Sequence, residues 1–325
     1  MSAGPLRIAS RGSQLALWQT HAVQAAIRAA DPSVDVEIRV IKTTGDNVQD
    51  VPLAKIGDKG LFTKELDVAL LSGRADLAVH SLKDVPTRLP EGLEIVAVGR
   101  REDPRDVLIL SPGMTGTLQD LPAGARIGTS SLRRIAQLRA ARPELRVADL
   151  RGNLNTRLAK LDRGEYDAII LAAAGVLRLG WEERIAAYLD PAEWLPAVSQ
   201  GALGVVCRAG DERIRTLLAD FHDPITAACT AAERAFLARL EGGCQIPIGA
   251  LASLDDEGLT LHGLVADTDG ETVLRDSVFV EGDAWAAASA DAGRALAARL
   301  LELGAGEILA RVRGESPRVP EPAAP

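Results

Sequence analysis

Two kinds of hydrophobic periodicity alternate along the first hundred residues. Short apolar or alternating runs predict strands at residues 6–9, 34–41, 76–80 and 93–98. Apolar residues at helical spacing predict helices between these strands, at residues 14–30 and 61–71. Strands that alternate with helices are typical of a largely parallel sheet covered by helices, so we expect an α/β domain.

The same alternation resumes after a charged, proline-containing segment at residues 100–104, where we predict a domain boundary. In this second run, strands are predicted at residues 126–128, 145–150 and 166–172, and helices at residues 132–141 and 156–162. Residues 195–204 combine one proline with two glycines and are a second candidate hinge.

The last third of the chain has a different pattern. A long helix is predicted at residues 224–240, hairpin strands between residues 251 and 280, and a final helix at residues 284–303. The tail from residue 314 onward is rich in proline and charge, and we expect it to be disordered.

Composition narrows the class of protein. A chain of 325 residues is long for one core and typical of two or three domains, and a net charge of −8 argues against nucleic-acid or anionic-membrane binding. Three scattered cysteines and four scattered histidines predict neither a disulfide framework nor a metal site, and they indicate a reducing compartment. Residues 1–5 lack a signal-peptide pattern, and the longest apolar run, residues 168–177, is too short to span a bilayer. We therefore expect a cytoplasmic protein.

Local charge is the most informative pattern. Residues 126–163 contain ten basic and three acidic residues, which gives +7 within a chain of net charge −8. Arg133 and Arg134 follow Ser131 in the first turn of a predicted helix, where cations oppose the helix dipole. Cations at this position are explained if an anion binds the free N–H groups of the helix N-terminus and the guanidinium groups contact the same anion.

Three further arginines lie near predicted strand ends. Arg151 and Arg157 flank the next strand-to-helix turn, and Arg11 occupies the equivalent turn of the first run. Because ligands of open α/β sheets bind at the carboxyl ends of strands, we expect these three, with Arg133 and Arg134, to bind an anion. The other arginines, in mid-helix or at helix ends, are expected on a solvated basic face: Arg139, Arg142 and Arg163.

Residues 80–84 leave a predicted buried strand and carry an acid into the same cleft. The loop that holds Asp84 is restricted by Pro86. The Asp84 carboxylate either balances the charge of the arginines or stabilises a transient cation and passes protons. His80 is either a hydrogen-bonded histidine at a strand end or a member of the site.

Only one of the three cysteines has an unusual setting. A helical pattern ends at a pair of glycines, Cys244 follows at once, and a proline and another glycine then turn the chain. Cys244 is either a reactive or modified thiol on an open turn, or a small buried hydrophobe beside a helix end. Cys207 and Cys229 lie in apolar patterns and are expected to be structural.

Nine sequence blocks, in this order, resemble the porphobilinogen deaminase family over nearly the whole chain. They are RIASR at 7–11, LALWQ at 15–19, KGLF at 59–62, AVHSLKDVP at 78–86, REDPRD at 101–106, GTSSLRR at 128–134, LRGN at 150–153, QGA at 200–202 and LEGGCQ at 240–245. The resemblance implies an α/β protein of three domains, two periplasmic-binding-protein-like α/β lobes plus a smaller α+β C-terminal domain. The implied ranges are 1–100 plus 200–218 for the first lobe, 104–195 for the second, 222–313 for the cofactor-attachment domain and 314–325 for a disordered tail.

The resemblance also implies the chemistry. Members of the family join four porphobilinogen molecules head to tail, release ammonia and hydrolyse off hydroxymethylbilane, a step of tetrapyrrole and heme biosynthesis. Cys244 matches the residue that holds a dipyrromethane primer through a thioether. Asp84 matches the carboxylate that stabilises positive charge on pyrrole nitrogens as ammonia leaves. The implied protein is a monomeric transferase that acts on porphobilinogen, without a metal, a nucleic acid or a membrane.

Two sets of residues match positions that hold the carboxylates of primer and substrate. Those implied for dipyrromethane are Ser81, Lys83, Asp84, Thr129, Ser131, Arg133, Arg134, Arg151 and Gly152. Those implied for substrate are Arg11, Ser13, Arg151, Arg157 and Arg178. Lys55, Lys59 and Phe62 match a mobile loop near the cleft. Thr44 and Asp58 depart from the family, in which arginine and glycine are common at these positions.

Two other functions stay open at this point. The chain could be a two-lobed carboxylate binder without catalysis, descended from solute receptors. It could also be a cysteine hydrolase in which Cys244 is a transient nucleophile, although this needs a nearby histidine that the sequence does not identify.

Overall fold

The computed structural model describes residues 4–47, 60–240 and 246–314. Their strands form three sheets. The strands are β1 (Leu6–Ser10), β2 (Val36–Val40), β3 (Leu77–Ser81), β4 (Leu93–Val98), β5 (Asp106–Leu110), β6 (Arg126–Gly128), β7 (Arg146–Ala148), β8 (Ala168–Ala172), β9 (Ala187–Tyr188), β10 (Leu203–Arg208), β11 (Ile248–Leu254), β12 (Gly258–Ala266) and β13 (Val273–Glu281).

Helices connect and cover these sheets. They are α1 (Gln14–Ala30), α2 (Thr44–Asn47), α3 (Lys64–Leu71), α4 (Leu132–Ala141), α5 (Leu154–Asp162), α6 (Ala173–Arg178), α7 (Glu212–Leu217), α8 (Pro224–Arg239), α9 (Trp285–Glu302) and α10 (Ala305–Arg313). Short 3-10 turns follow β3, α6 and β13, at Leu82–Asp84, Glu182–Arg184 and Gly282–Ala284. Among the described residues, no helix combines the length and the apolar character that a membrane span requires.

The first lobe is a five-stranded sheet in the order β2-β1-β3-β10-β4. β1 runs parallel to β2 and β3, whereas β10 runs antiparallel to both β3 and β4. One face buries Ile8 and Val79 against α1, and the other buries Ala78 and Val206 against α3. The carboxyl ends of β1 and β3 therefore meet at one edge of a sheet that is covered on both sides.

The second lobe repeats this plan in the order β7-β6-β8-β5-β9. β6 is parallel to β7 and β8, and β5 is antiparallel to β8 and β9. One face packs Ile127 and Ile170 against Leu138 of α4, and the other packs Ile169 against Leu158 of α5. Each lobe is thus a largely parallel sheet with one antiparallel strand next to its edge.

The C-terminal domain is an antiparallel sheet, β11-β12-β13, covered by α8 and α9. Phe236 of α8, Leu261 of β12 and Leu296 of α9 form the centre of its core. Gly293 allows the two helices to approach closely, since a Cβ atom there would lie 2.1 Å from the carbonyl oxygen of Ala232. The third domain is therefore one tightly packed α+β unit.

The predicted fold class, with two α/β lobes and a smaller C-terminal domain, is confirmed. The helix predicted at 156–162 begins earlier, at Leu154, because Asn153 caps it by accepting a hydrogen bond from the Thr156 N–H. The pattern reading missed α2, α7, α10 and the strands β5 and β9. The domain ranges given above stay a prediction, and the proposed disordered tail beyond Gly314 lies outside the described residues.

Two chain segments connect the lobes, and the C-terminal domain is fastened to both of them. The Arg101 guanidinium donates to the Gln200 carbonyl and pairs with Glu233 of α8, at 2.6 Å between Arg101 Nη1 and Glu233 Oε1. Glu233 is fully buried and also accepts from the Ser199 and Ala252 N–H groups. Ser199 has a left-handed backbone with φ of 63°, so this contact holds a strained residue in place.

We expect Glu233→Gln to destabilise the protein by about 3 kcal/mol, because it leaves a largely buried guanidinium without its counter-charge. The shift of the urea-unfolding midpoint measures this loss. Glu37→Gln is the matched control, since Glu37 forms an exposed pair with Arg39 and should contribute less than about 1 kcal/mol. Equal shifts for the two variants would contradict the role given to Glu233.

Candidate functional site

The acid singled out in the sequence lies directly after β3. Asp84 ends the 3-10 turn Leu82–Asp84, in which the Leu82 N–H donates to the Ala202 carbonyl of the second crossing segment. Asp84 lines a cavity of about 70 Å³. Its other lining residues come from β1, α1, β3 and the segment before α3: Arg11, Ser13, Leu15, Ala16, Gln19, Phe62, Val79, His80 and Ser81.

The first-lobe side of the cavity is ordered by polar and aromatic contacts. The guanidinium carbon of Arg11 lies 4.3 Å from the centroid of the Phe62 ring, a cation–π contact. Gln19 Nε2 donates to Ser81 Oγ at 2.8 Å, and Ser13 caps α1 by accepting from the Ala16 N–H. Of the residues predicted for substrate and loop, Arg11, Ser13 and Phe62 therefore lie beside Asp84.

His80 contributes a neutral ring to this cavity. Its side chain is buried, and burial, with the nearby charge of Arg11, lowers the pKa of His80 to about 4. His80 Nε2 has no hydrogen-bond partner within the part of the chain that the structure describes. The ring can therefore exchange a hydrogen bond with a ligand, and it is neutral at physiological pH.

In the second lobe, Arg133 and Arg134 occupy the first turn of α4 as predicted, but they hold an internal anion. Both bind the fully buried carboxylate of Asp106, at 2.8 Å from Arg133 Nη1 and 2.6 Å from Arg134 Nη2. Trp194 Nε1 donates to the same carboxylate at 2.9 Å. The opposing charges hold the pKa of Asp106 far below its usual range despite the cost of burial. That these arginines bind a ligand stays a prediction.

The remaining predicted arginines gather at the same edge of the second sheet. Arg151 and Arg178 are buried, and Arg157 Nε donates to the Gly152 carbonyl at 2.9 Å. Burial, followed by the charges of Arg134 and Arg151, lowers the pKa of Arg157 to about 10. Several guanidinium groups thus share one poorly solvated volume.

The hydroxyl and glycine positions of the second lobe border these arginines in the chain. Ser131 occupies the N-cap position of α4 without its side chain accepting a hydrogen bond from the helix, and its N–H donates to Thr129 Oγ1. Gly152 has φ of 110°, and a Cβ atom there would lie 2.7 Å from the Thr156 side chain. Gly152 is therefore required for the turn that carries Arg151.

A buried amide joins the two lobes at the site. Gln200 Oε1 accepts from Lys83 Nζ at 3.1 Å, while Gln200 Nε2 donates to Asp106 Oδ1 at 2.8 Å. Burial lowers the pKa of Lys83 to about 8. Arg178 also reaches across, since its Nη2 donates to the Gly201 carbonyl at 2.6 Å. Arg133 and Arg134 of the second lobe and Lys83 of the first lobe consequently belong to one hydrogen-bonded network, and the charge of Asp84 acts on Lys83.

Sequence reasoning missed two members of this network. The structure does not test its predictions at four other positions. Asp106 and Gln200 stood in quoted motifs, but no local pattern marked them as partners of the arginines. Cys244, Lys55, Lys59 and Asp58 lie outside the described residues. Within residues 4–47, 60–240 and 246–314, no cluster of acidic, histidine or cysteine side chains could hold a metal ion.

The chemistry of this donor set fits a ligand with several carboxylates. Among the described residues, the acids near these cations include Asp84 and Asp106, with Asp149 near Arg157 and Glu102 near Arg178. The cations are Lys83, Arg133, Arg134, Arg151, Arg157 and Arg178. Burial lowers the pKa of Lys83 to about 8 and of Arg157 and Arg178 to about 10, so an anionic ligand would stabilise their charged forms. Fold and site together define a two-lobed α/β protein in which a cluster of buried cations adjoins the cavity that Asp84 lines.

The comparisons with known proteins are specific. The family model described as porphobilinogen deaminase, dipyromethane cofactor binding domain, matches residues 6–216, and that of the porphobilinogen deaminase C-terminal domain matches residues 227–302. The porphobilinogen deaminase of Syntrophobacter fumaroxidans is 53% identical over 94% of this chain and 97% of its own length. That of Chromobacterium violaceum is 54% identical over 95% and 98%.

Among solved structures, the periplasmic VFT2 domain of Bordetella pertussis BvgS has 17% identity and a TM-score of 0.39 over 66% of this chain and 84% of its own. The chain belongs to the porphobilinogen deaminase family. It is a transferase of tetrapyrrole biosynthesis that polymerises porphobilinogen and uses a dipyrromethane cofactor. The predicted family, enzyme class and cofactor are confirmed.

Asp106→Asn should leave Arg133 and Arg134 buried without a counter-charge and destabilise the protein by about 3–5 kcal/mol. The carboxyl group has a low pKa in the folded state and an ordinary pKa of 3.8 otherwise, so it stabilises the fold above that pH. The stability difference between wild type and variant should therefore shrink as the pH falls below 3.8. Urea unfolding at pH 7 and pH 3 measures both effects, and a pH-independent difference would contradict this account.

Proposed function

We propose that Asp84 is the catalytic carboxylate, that Cys244 carries dipyrromethane through a thioether, and that the cationic cluster binds the carboxylates of cofactor and substrate. The observation that carries this proposal is the cavity that Asp84 shares with Arg11, next to a network of buried cations. The chain then joins four porphobilinogen molecules head to tail and releases hydroxymethylbilane. It acts as a monomer in the cytoplasm.

The residues that we propose for binding these carboxylates form two sets, which share Arg151. Arg11, Ser13, Arg151, Arg157 and Arg178 bind incoming porphobilinogen, and Ser81, Lys83, Thr129, Ser131, Arg133, Arg134, Arg151 and Gly152 hold the cofactor. Each pyrrole of this pathway carries two carboxylates, and a hydrogen bond to a charged group contributes about 1.5–3 kcal/mol. Guanidinium groups suit this task because they grip carboxylates in two-point contacts and stay charged.

The cofactor fits because its carboxylates would supply the negative charge that the cleft lacks. When bound, dipyrromethane supplies the pyrrole acceptor to which new units are joined. A covalent tether on Cys244 makes each joining step effectively intramolecular, which avoids the entropic cost of bringing two molecules together.

Asp84 acts on the substrate at the departure of ammonia. Its carboxylate accepts a hydrogen bond from the pyrrole N–H and stabilises the positive charge that develops on that nitrogen. At about 4 Å and an effective dielectric constant of about 20, such a pair contributes roughly 4 kcal/mol. If this is felt only in the transition state, it corresponds to about a thousandfold in rate.

The intact mass of the purified protein tests the tether. We expect the wild-type mass to exceed the sequence mass by one dipyrromethane unit, and Cys244→Ser to lose this excess. An unchanged adduct in the variant would refute the attachment. Labelling by a thiol reagent is a second readout: burial raises the pKa of Cys207 to about 12 and of Cys229 to about 11, so neither should react. Rapid labelling at Cys244 would favour a cysteine hydrolase.

Asp84→Asn should retain porphobilinogen binding and lose turnover by about a thousandfold, because it keeps the shape of the side chain without its charge. Ammonia release under saturating substrate measures turnover, and the same assay at low substrate reports binding through KM. Turnover comparable to wild type would remove the assigned role and favour a binding function for the cleft.

A further inference from the structure

An arginine of the C-terminal domain forms hydrogen bonds with the main chain directly after Asp84. Arg234 lies on α8, and its guanidinium donates two hydrogen bonds to consecutive main-chain carbonyls of the first lobe. Nη1 lies 2.9 Å from the Val85 oxygen and Nη2 lies 2.5 Å from the Pro86 oxygen. These are the first two carbonyl groups that follow Asp84 in the chain.

The other end of the same turn is also anchored. The Leu82 N–H donates to the Ala202 carbonyl at 3.0 Å, and the Val85 N–H donates to the Leu82 carbonyl at 3.1 Å. The ring of Pro86 restricts the backbone after the turn. Asp84 therefore sits between one anchor from the crossing segment and one from the third domain.

The contact is costly for the protein, which indicates that it serves a purpose. Burial lowers the pKa of Arg234 to about 10. Among the ion pairs formed by the described residues, none involves Arg234, and the hydrogen bonds that its guanidinium donates there go to uncharged carbonyl groups. A methionine or leucine would fill such a position at lower cost if only packing between domains were required.

α8 has other contacts with the first lobe and the crossing segments besides those of Arg234. The neighbouring Glu233 pairs with Arg101, and the Asp223 N–H donates to the Val98 carbonyl at 2.8 Å. The Arg101 N–H also donates to Thr226 Oγ1 at 3.0 Å. Since these contacts hold the helix against the crossing segment, the effect of Arg234 on the turn can be separated from domain docking.

We propose that Arg234 is a positioning residue for Asp84: from the C-terminal domain it fixes the turn that directs the carboxylate into the cavity. This inference rests on the catalytic role proposed for Asp84. Through Arg234, the C-terminal domain also sets the geometry of Asp84 in the first lobe. Helix α8 of this domain precedes Cys244 in the sequence. The third domain is then part of the catalytic apparatus as well as the site of cofactor attachment.

The first experiment compares Arg234→Gln and Arg234→Lys with wild type. A displacement of about 1 Å at a reacting group costs on the order of a hundredfold in rate, so Arg234→Gln should lower kcat by about that factor and leave KM within about threefold. Lysine can keep one of the two hydrogen bonds, and Arg234→Lys should recover about a tenth to a half of wild-type kcat. Arg294→Gln is the control, an exposed arginine of the same domain paired with Asp291.

Intact mass and the thermal midpoint, measured on each variant, show that it is folded and carries the cofactor. If Arg234→Gln does not fold, the kcat of folded, cofactor-loaded Arg234→Lys tests the proposal instead. Unchanged kcat in the folded, cofactor-loaded variant overturns the proposal, as does a rise in KM with kcat unchanged.

A double-mutant cycle distinguishes positioning from a general structural effect. In Asp84→Glu, the carboxylate is already displaced by one methylene, so adding Arg234→Gln should reduce kcat by less than about threefold further, against about a hundredfold in the wild-type background. Multiplicative losses in the double variant would show that Arg234 acts independently of Asp84 and overturn the inference. Asp84→Asn distinguishes the catalytic role of Asp84 from the positioning role of Arg234. Wild-type turnover in Asp84→Asn would remove the catalytic role of Asp84. Lost turnover in Asp84→Asn together with wild-type turnover in Arg234→Gln would remove only the positioning role.

Discussion

The buried carboxylate of Asp106 is the constraint on which the site depends. It neutralises Arg133 and Arg134 in the first turn of α4, and it accepts hydrogen bonds from Trp194 and Gln200. Without this charge, two guanidinium groups could not be kept in a poorly solvated volume at a helix N-terminus. The second lobe can therefore keep two arginines at the start of α4 because one buried acid compensates their charge.

The same network joins the lobes. Gln200 connects Asp106 to Lys83, which adjoins Asp84 in the first lobe, so the amide of a crossing segment touches both halves of the site. Crossing segments that absorb a conformational change are expected to carry few rigid contacts. Here they are held by Gln200, by the pair between Arg101 and Glu233 and by a strained Ser199, so buried polar contacts restrain both crossing segments.

Much of the fold could be predicted from the sequence because it depends on local periodicity. The helices at 14–30 and 132–141 coincide with the observed α1 and α4, and the four strands predicted for the first lobe, β1 to β4, are shifted by no more than two residues. The strand β5 was missed although its five residues are all buried, because it follows a charged segment that favours a boundary. The edge strand β9 has only two residues and gives no pattern at all.

The sequence by itself determined the α/β alternation, the excess of positive charge at strand ends, the acid after β3 and the motifs that mark the family. These properties follow from composition and spacing over a few residues. Only the tertiary structure decided which partners the charges have: that Arg133 and Arg134 bind Asp106, that Gln200 connects this cluster to Lys83, and that Arg234 holds the chain after Asp84. The reason is physical, since these partners lie between 27 and 149 residues apart and the strength of a charge interaction depends on distance in space and burial.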